Sequence, residues 1–167
     1  VPVVFQNANA AGDEERAAAL ASLREQVGSG RVRVLLHSLA FGTLRPFVPA
    51  SDGDAVMGRK HLDMTLDVMA HSLVYWTQDV VGHGLMGPGG RVYAMTSAGG
   101  TRVLPHYGPV SAAKASLESH VRQLAAELAP LGITANAIRA GVTATPAAHK
   151  IPGYESIAAE ARRRNPH

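Results

Sequence analysis

Cysteine is absent from the 167-residue chain, which excludes a disulfide framework and thiolate chemistry and fits a reducing compartment; the cytoplasm is the expected location. No apolar run approaches the roughly 18 residues of a membrane span. The first residues also lack the basic region, apolar core and cleavage site of a secretory leader, so no membrane partner is expected. Clustered charge is scarce too. The net charge is only +3, and Arg162, Arg163 and Arg164 form the one basic run, which reads as a solvated helix end; no nucleic-acid partner is expected. What is present is apolar material, 46% of the residues, enough for one domain with a sizeable core over residues 1–167.

The pattern along the chain alternates. Residues 1–6 (VPVVFQ) read as a buried strand stopping at Asn7 and Asn9. Residues 13–27 read as a helix with acids Asp13, Glu14 and Glu15 in its first turn, an apolar stripe of Ala17, Leu20, Ala21 and Val27, and Gly28-Ser29-Gly30 at its end. Residues 31–38 (RVRVLLHS) form the next expected strand, and residues 41–58 a long loop. Residues 59–82 follow as a long helix carrying Leu62, Leu66, Met69, Leu73, Trp76 and Val80. A third strand is expected at residues 91–97 and a helix at 109–129 with Leu117, Val121, Leu124 and Leu128 on one stripe. Pro130 and Gly132 stop that helix, before a fourth strand at 133–140 and a last helix at 154–164. Helices between successive strands wire a parallel sheet covered on both faces, a doubly wound α/β fold of Rossmann type. Ligands of such sheets bind beyond the carboxyl ends of the strands.

A phosphate-binding loop is missing from this pattern. Neither Gly28-Ser29-Gly30 nor Gly82-His83-Gly84 joins a strand to a following helix, so no glycine loop is placed to cradle a pyrophosphate. The chain starts within a strand, without methionine, and stops just after a helix; a fold incomplete at both ends is therefore expected, without its N-terminal glycine-loop unit and its C-terminal end.

The densest chemistry lies in TSAGGTRVLPHYGPVSAAKASLESHVRQLAAELAPLGITANAIRAGVTATPA, residues 96–147. Tyr107 lies seven residues before Lys114, while Val110 occupies the position four before it. A phenol can donate to an oxygen that gains negative charge, provided a cation nearby eases its ionisation, and Lys114 would be that cation. Gly108-Pro109 suggests that Tyr107 precedes the helix bearing Lys114. Ser97 ends the third strand ten residues before Tyr107, where it either bonds a substrate carbonyl, orients the phenol or caps the local turn.

With its AKASLE, AAEL and NAI…AG phrases and the earlier LLHSLAFG, this stretch resembles the catalytic region of the short-chain dehydrogenase/reductase family, and within it most the bacterial enoyl-acyl-carrier-protein reductases. The resemblance is weak before Arg31 and strong after Thr96. It implies an NADH- or NADPH-dependent oxidoreductase of fatty acid biosynthesis. Hydride would go to the β-carbon of an enoyl thioester carried by acyl carrier protein or coenzyme A, while Tyr107 stabilises the enolate. It further implies that Lys114 binds the nicotinamide ribose, that Ser38, Leu39 and Ala40 run beside the cofactor, and that Gly141, Thr143 and Thr145 close over the nicotinamide amide. Asn7 stands where the family usually places an aspartate accepting from the adenine amine; a turn-forming asparagine is the alternative. A homotetramer built on the two long helices is implied as well. Ser97 departs from the second tyrosine of the best-known enoyl reductases and keeps a 3-oxoacyl or other ketone reductase open. The family's catalytic asparagine would fall near Met69, where none exists. His37 reads as a packed strand-end residue, and no metal site is expected from the remaining histidines. A cofactor-free binding or scaffolding protein that kept the fold is the reading from a different class.

Overall fold

A computed structural model describes residues 3–27, 32–146 and 148–164. Helix α1 (Asp13–Val27) begins on its three acids, whose charge complements the helix dipole. Strand β1 (Val34–His37) follows, then a loop to α2 (Arg59–Leu66), a π turn (Asp67–His71) and α3 (Ser72–Gly82), one continuous helical rod. Strand β2 (Arg91–Thr96) leads to α4 (Gly108–Leu128), β3 (Thr134–Arg139) and α5 (Tyr154–Arg164). The three strands pair in parallel in the order β1-β2-β3, with Leu35 opposite Val92 and Thr96 opposite Arg139.

Period-2 alternation sorts the sheet. Leu35, His37, Val92, Ala94 and Ala135 point to the face under α3 and α4, where Leu73, Val80, Leu117, Val121, Leu124 and Leu128 complete the core. Every residue of the expected α4 stripe is buried. Leu117 is fully enclosed, so truncating it to alanine would cost about 2–5 kcal/mol. Helix α4 ends at Leu128 and runs into a 3-10 turn (Ala129–Leu131) that stops at Gly132, whose φ of +68° places it in the left-handed region open to glycine.

Several expectations change. Residues 3–6 form no strand: Val3, Val4 and Phe5 are exposed and unpaired with the sheet, so three strands rather than four are present among the described residues. The glycines read as ending α1, and Arg31 at the start of the second expected strand, lie outside the described residues. On α1 the buried face turns toward Leu20, Leu23 and Val27, leaving Ala17 and Ala21 exposed. That helix docks through the Arg16–Asp79 ion pair and through Trp76 Nε1, which donates to Ala10 O at 2.9 Å. The expected parallel α/β fold of Rossmann type is present, and in it Val34 and Leu36 are each 54% exposed on the sheet face opposite α3 and α4. The π turn was not expected either. Around it Thr65 and Ser72 donate to the carbonyls of His61 and Val68, four residues back, which loosens the helical ladder.

Candidate active site

The carboxyl ends of the three strands converge on α4, and there the chemistry collects. Tyr107 is the N-cap of α4, at φ −89° and ψ 0°, and precedes the helix as Gly108-Pro109 suggested. The residue before it, His106, holds φ at +59°, a left-handed conformation that is costly for any residue but glycine and aims the chain into the helix. The phenol ring is buried, 8% exposed, among Met69, Val110 and Ala113, and it lies over the backbone of Gly99. Its hydroxyl donates to Ser97 Oγ at 3.4 Å, long but compatible with a site that tightens on ligand binding. Ser97 Oγ also accepts from Gly99 N at 3.1 Å, so the serine both caps its turn and meets the phenol.

Lys114 is buried at 5% exposure, two turns into α4. Its ammonium donates to Met95 O, within the end of β2, at 2.7 Å and to Leu39 O, on the loop after β1, at 3.2 Å. Burial pushes its pKa down to about 8. Of the three N–H donors an ammonium carries, two are thereby placed on carbonyls.

His37, at the end of β1, is buried, with Nε2 at 2.8 Å from Ser72 Oγ on the far side of the π turn. Burial first and the Lys114 charge second hold it neutral, at a pKa of about 4. It is a packed strand-end histidine, as its sequence position suggested. The loop after β1 is pinned at Gly42, where an added Cβ would come 2.7 Å from Val110 and 3.0 Å from Thr65.

The remaining expected contacts lie around this cluster rather than in it. Ser38, Ala40, Gly141, Thr143 and Thr145 are exposed on loops at the same sheet edge, and Leu39 is half-buried. Thr143 donates to Gly141 O at 3.2 Å, and Thr145 Oγ1 accepts from Ala148 N at 3.1 Å, so both hydroxyls are engaged in local turns. Asn7 is exposed in the irregular segment before α1. The loop after β3 touches the cluster through Ile151, which packs against the group containing Tyr107. Two contributors were missed in the sequence: Gly99, whose lack of a side chain seats the phenol, and Glu118, which takes the Thr96 hydroxyl at 2.7 Å. AGG between strand and tyrosine was a signal for the first; the second, a contact across 22 residues, had none.

Known proteins share this fold. The family model described as enoyl-(acyl carrier protein) reductase matches residues 2–167. The enoyl-acyl-carrier-protein reductase (NADH) FabI of Aquifex aeolicus is 31% identical over 137 residues, covering 82% of this chain and 49% of that protein. Its crystal structure superposes with a TM-score of 0.79 at 30% identity, over 95% of this chain and 59% of that one. The Bacillus cereus enoyl-acyl carrier protein reductase, solved with NADP+ and indole naphthyridinone, gives a TM-score of 0.80 at 31% identity, over 94% and 58%. The chain spans about half the length of the curated relatives it matches. With nearly all of its residues inside one family model and the parallel fold matched alongside, the chain belongs to the enoyl-(acyl carrier protein) reductase family.

Proposed function

We propose that this chain supplies the catalytic part of an NADH- or NADPH-dependent reductase of enoyl thioesters in fatty acid biosynthesis. The observation that carries the reading is the hydrogen bond of Tyr107 to Ser97 just past β2, with Lys114, seven residues after the tyrosine, bonded to Met95 O near the end of the same strand. The donors present fit a nicotinamide nucleotide: the third N–H of Lys114, the exposed backbone at Ser38 and Ala40, and the loop bearing Thr143 and Thr145. A pyrophosphate has no glycine loop to rest on within this sequence.

A bound nicotinamide supplies the hydride; the chain's own residues manage position and charge. As the β-carbon is reduced, negative charge moves to the thioester oxygen two carbons away, and the phenol of Tyr107 donates to that oxygen. Lys114, fixed by the carbonyls of Met95 and Leu39, holds its positive charge at the same strand ends. The apolar packing around the ring by Met69, Val110 and Ile151 keeps water from competing. A tyrosine seven rather than four residues before the lysine enters from farther back, which suits an oxygen remote from the carbon that is reduced. Ser97 at 3.4 Å from the phenol favours, as a second reading, a ketone or 3-oxoacyl reductase in which both hydroxyls hold one carbonyl.

The substrate is an enoyl group on acyl carrier protein or coenzyme A, the assembly a homotetramer through the long helices, and the location the cytoplasm. Among the described residues no helix is long and apolar enough to cross a membrane. Assaying the full chain on crotonyl thioester with each nicotinamide nucleotide tests the mechanism: Tyr107→Phe and Lys114→Ala should each lower kcat/KM at least about a hundredfold. Wild-type turnover by Tyr107→Phe would overturn it.

A further inference from the structure

Strand β2 leaves the sheet through three consecutive residues, and α4 and its cap take hold of all three. Met95 O receives Lys114 Nζ at 2.7 Å, Thr96 Oγ1 donates to Glu118 Oε1 at 2.7 Å, and Ser97 Oγ receives Tyr107 OH at 3.4 Å. Lys114 and Glu118 stand one turn apart on α4, so a single helix face grips adjacent residues of the strand. Thr96 is the last paired residue of β2, opposite Arg139. Beyond it the ladder no longer sets the direction of the chain, and Ser97 is still extended at φ −143° and ψ 149°. A hydroxyl-to-carboxylate hydrogen bond is short, charge-assisted and directional. Placed at the last ladder residue, it sets the angle at which the next residue enters the site.

We infer that Glu118 is a positioning residue: by clamping Thr96 to α4 it fixes Ser97 against the phenol of Tyr107 and the Met95 carbonyl against Lys114. The clamp belongs to the chain's own geometry; its effect on turnover rests on the enoyl-thioester reductase reading. The carboxylate touches neither the phenol nor the ammonium and acts through the strand end alone. Its acceptor oxygen therefore matters more than its charge.

The test compares Glu118→Ala, Glu118→Gln, Thr96→Val and the double variant Thr96→Val/Glu118→Ala in the full chain, with Tyr107→Phe alongside. Loss of the clamp should lower kcat on crotonyl thioester about tenfold in Glu118→Ala and in Thr96→Val, with KM changed less than about twofold. The double variant should be no worse than either single, and Glu118→Gln should recover most of the loss because its amide oxygen still accepts. Independently of turnover, the amides of Gly99 and Gly100, which donate to Ser97, should exchange hydrogen about tenfold faster in Glu118→Ala while those of Val92 and Ala94 stay unchanged. Unaltered exchange at Gly99 and Gly100 would overturn the clamp whether or not the substrate is right. Unaltered kcat in both single variants, or losses that multiply in the double, would overturn its role in turnover. A fully active Tyr107→Phe would instead strike the reaction reading and leave the exchange result to decide the clamp.

Discussion

Adding one methyl group beneath the phenol should inactivate the site without unfolding the chain. In Gly99→Ala the new Cβ would stand 2.8 Å from Tyr107 Cδ1, 3.2 Å from Cζ and nearer still to Cε1. Carbon atoms in contact ordinarily sit at about 3.5–4.0 Å, so the ring must retreat by about 1 Å. It has little room to do so, since Met69, Val110 and Ala113 pack around it and the ring is already 8% exposed. Overpacking of this kind costs about 1–3 kcal/mol of stability. A displacement of about 1 Å at a reacting group costs about a hundredfold in rate. The neighbouring glycine is the control: a Cβ on Gly100 would lie 3.5 Å from Lys114 Cβ, an ordinary contact, so Gly100→Ala should keep near-normal stability and turnover. Measuring kcat on crotonyl thioester together with thermal melts of the two variants decides the matter. Equal activity of Gly99→Ala and Gly100→Ala would refute the seating of the phenol on Gly99.

Three further outcomes follow from burial and charge. The folded pKa of Lys114 is about 8 against an ordinary value of 10.5, so the unfolded chain binds the extra proton between those values and stability rises with pH across that window. Relative to Lys114→Met, unfolding free energy should climb by up to about 1.4 kcal/mol per pH unit from pH 8 to 10, and a flat difference would count against a buried ammonium. His37 falls from 6.5 unfolded to about 4 folded, so stability is held above pH 6.5 and lost as pH falls toward 4; denaturant melts of His37→Gln should lack that part of the acid loss. The described residues from Gly141 to α5 are exposed apart from Ala148 and Ile151, of which Ile151 reaches the Tyr107 group, and the segment should act as a lid. Limited proteolysis there should slow when nicotinamide nucleotide and a thioester are bound, and faster cleavage in Ile151→Ala should follow from loss of that apolar contact.

What the sequence disclosed followed from rules that are local or chemical. The first-turn acids located α1, Gly108-Pro109 set Tyr107 before its helix, and the family resemblance around Tyr107 and Lys114 pointed to the reductase chemistry proposed above. The apolar run read as a strand at residues 1–6 misled over its described part because a strand needs a partner as well as a pattern, and among the described residues none pairs with Val3, Val4 and Phe5. A π turn slips one hydrogen bond while scarcely altering the apolar period, so residues 67–71 read as plain helix. His106 at positive φ carries no glycine to mark the left-handed turn. Glu118 looked like any helix-surface acid, because its partner Thr96 reaches it only once the sheet and α4 are packed.

The most direct measurement is the ratio of kcat/KM on matched crotonyl and acetoacetyl thioesters for the full chain, with NADH and with NADPH. Tyr107 entering from seven residues before Lys114, with Val110 filling the nearer position, requires the crotonyl thioester to be the better substrate. A higher kcat/KM for acetoacetyl thioester would contradict the enoyl assignment and favour Ser97 and Tyr107 as the shared grip on a ketone.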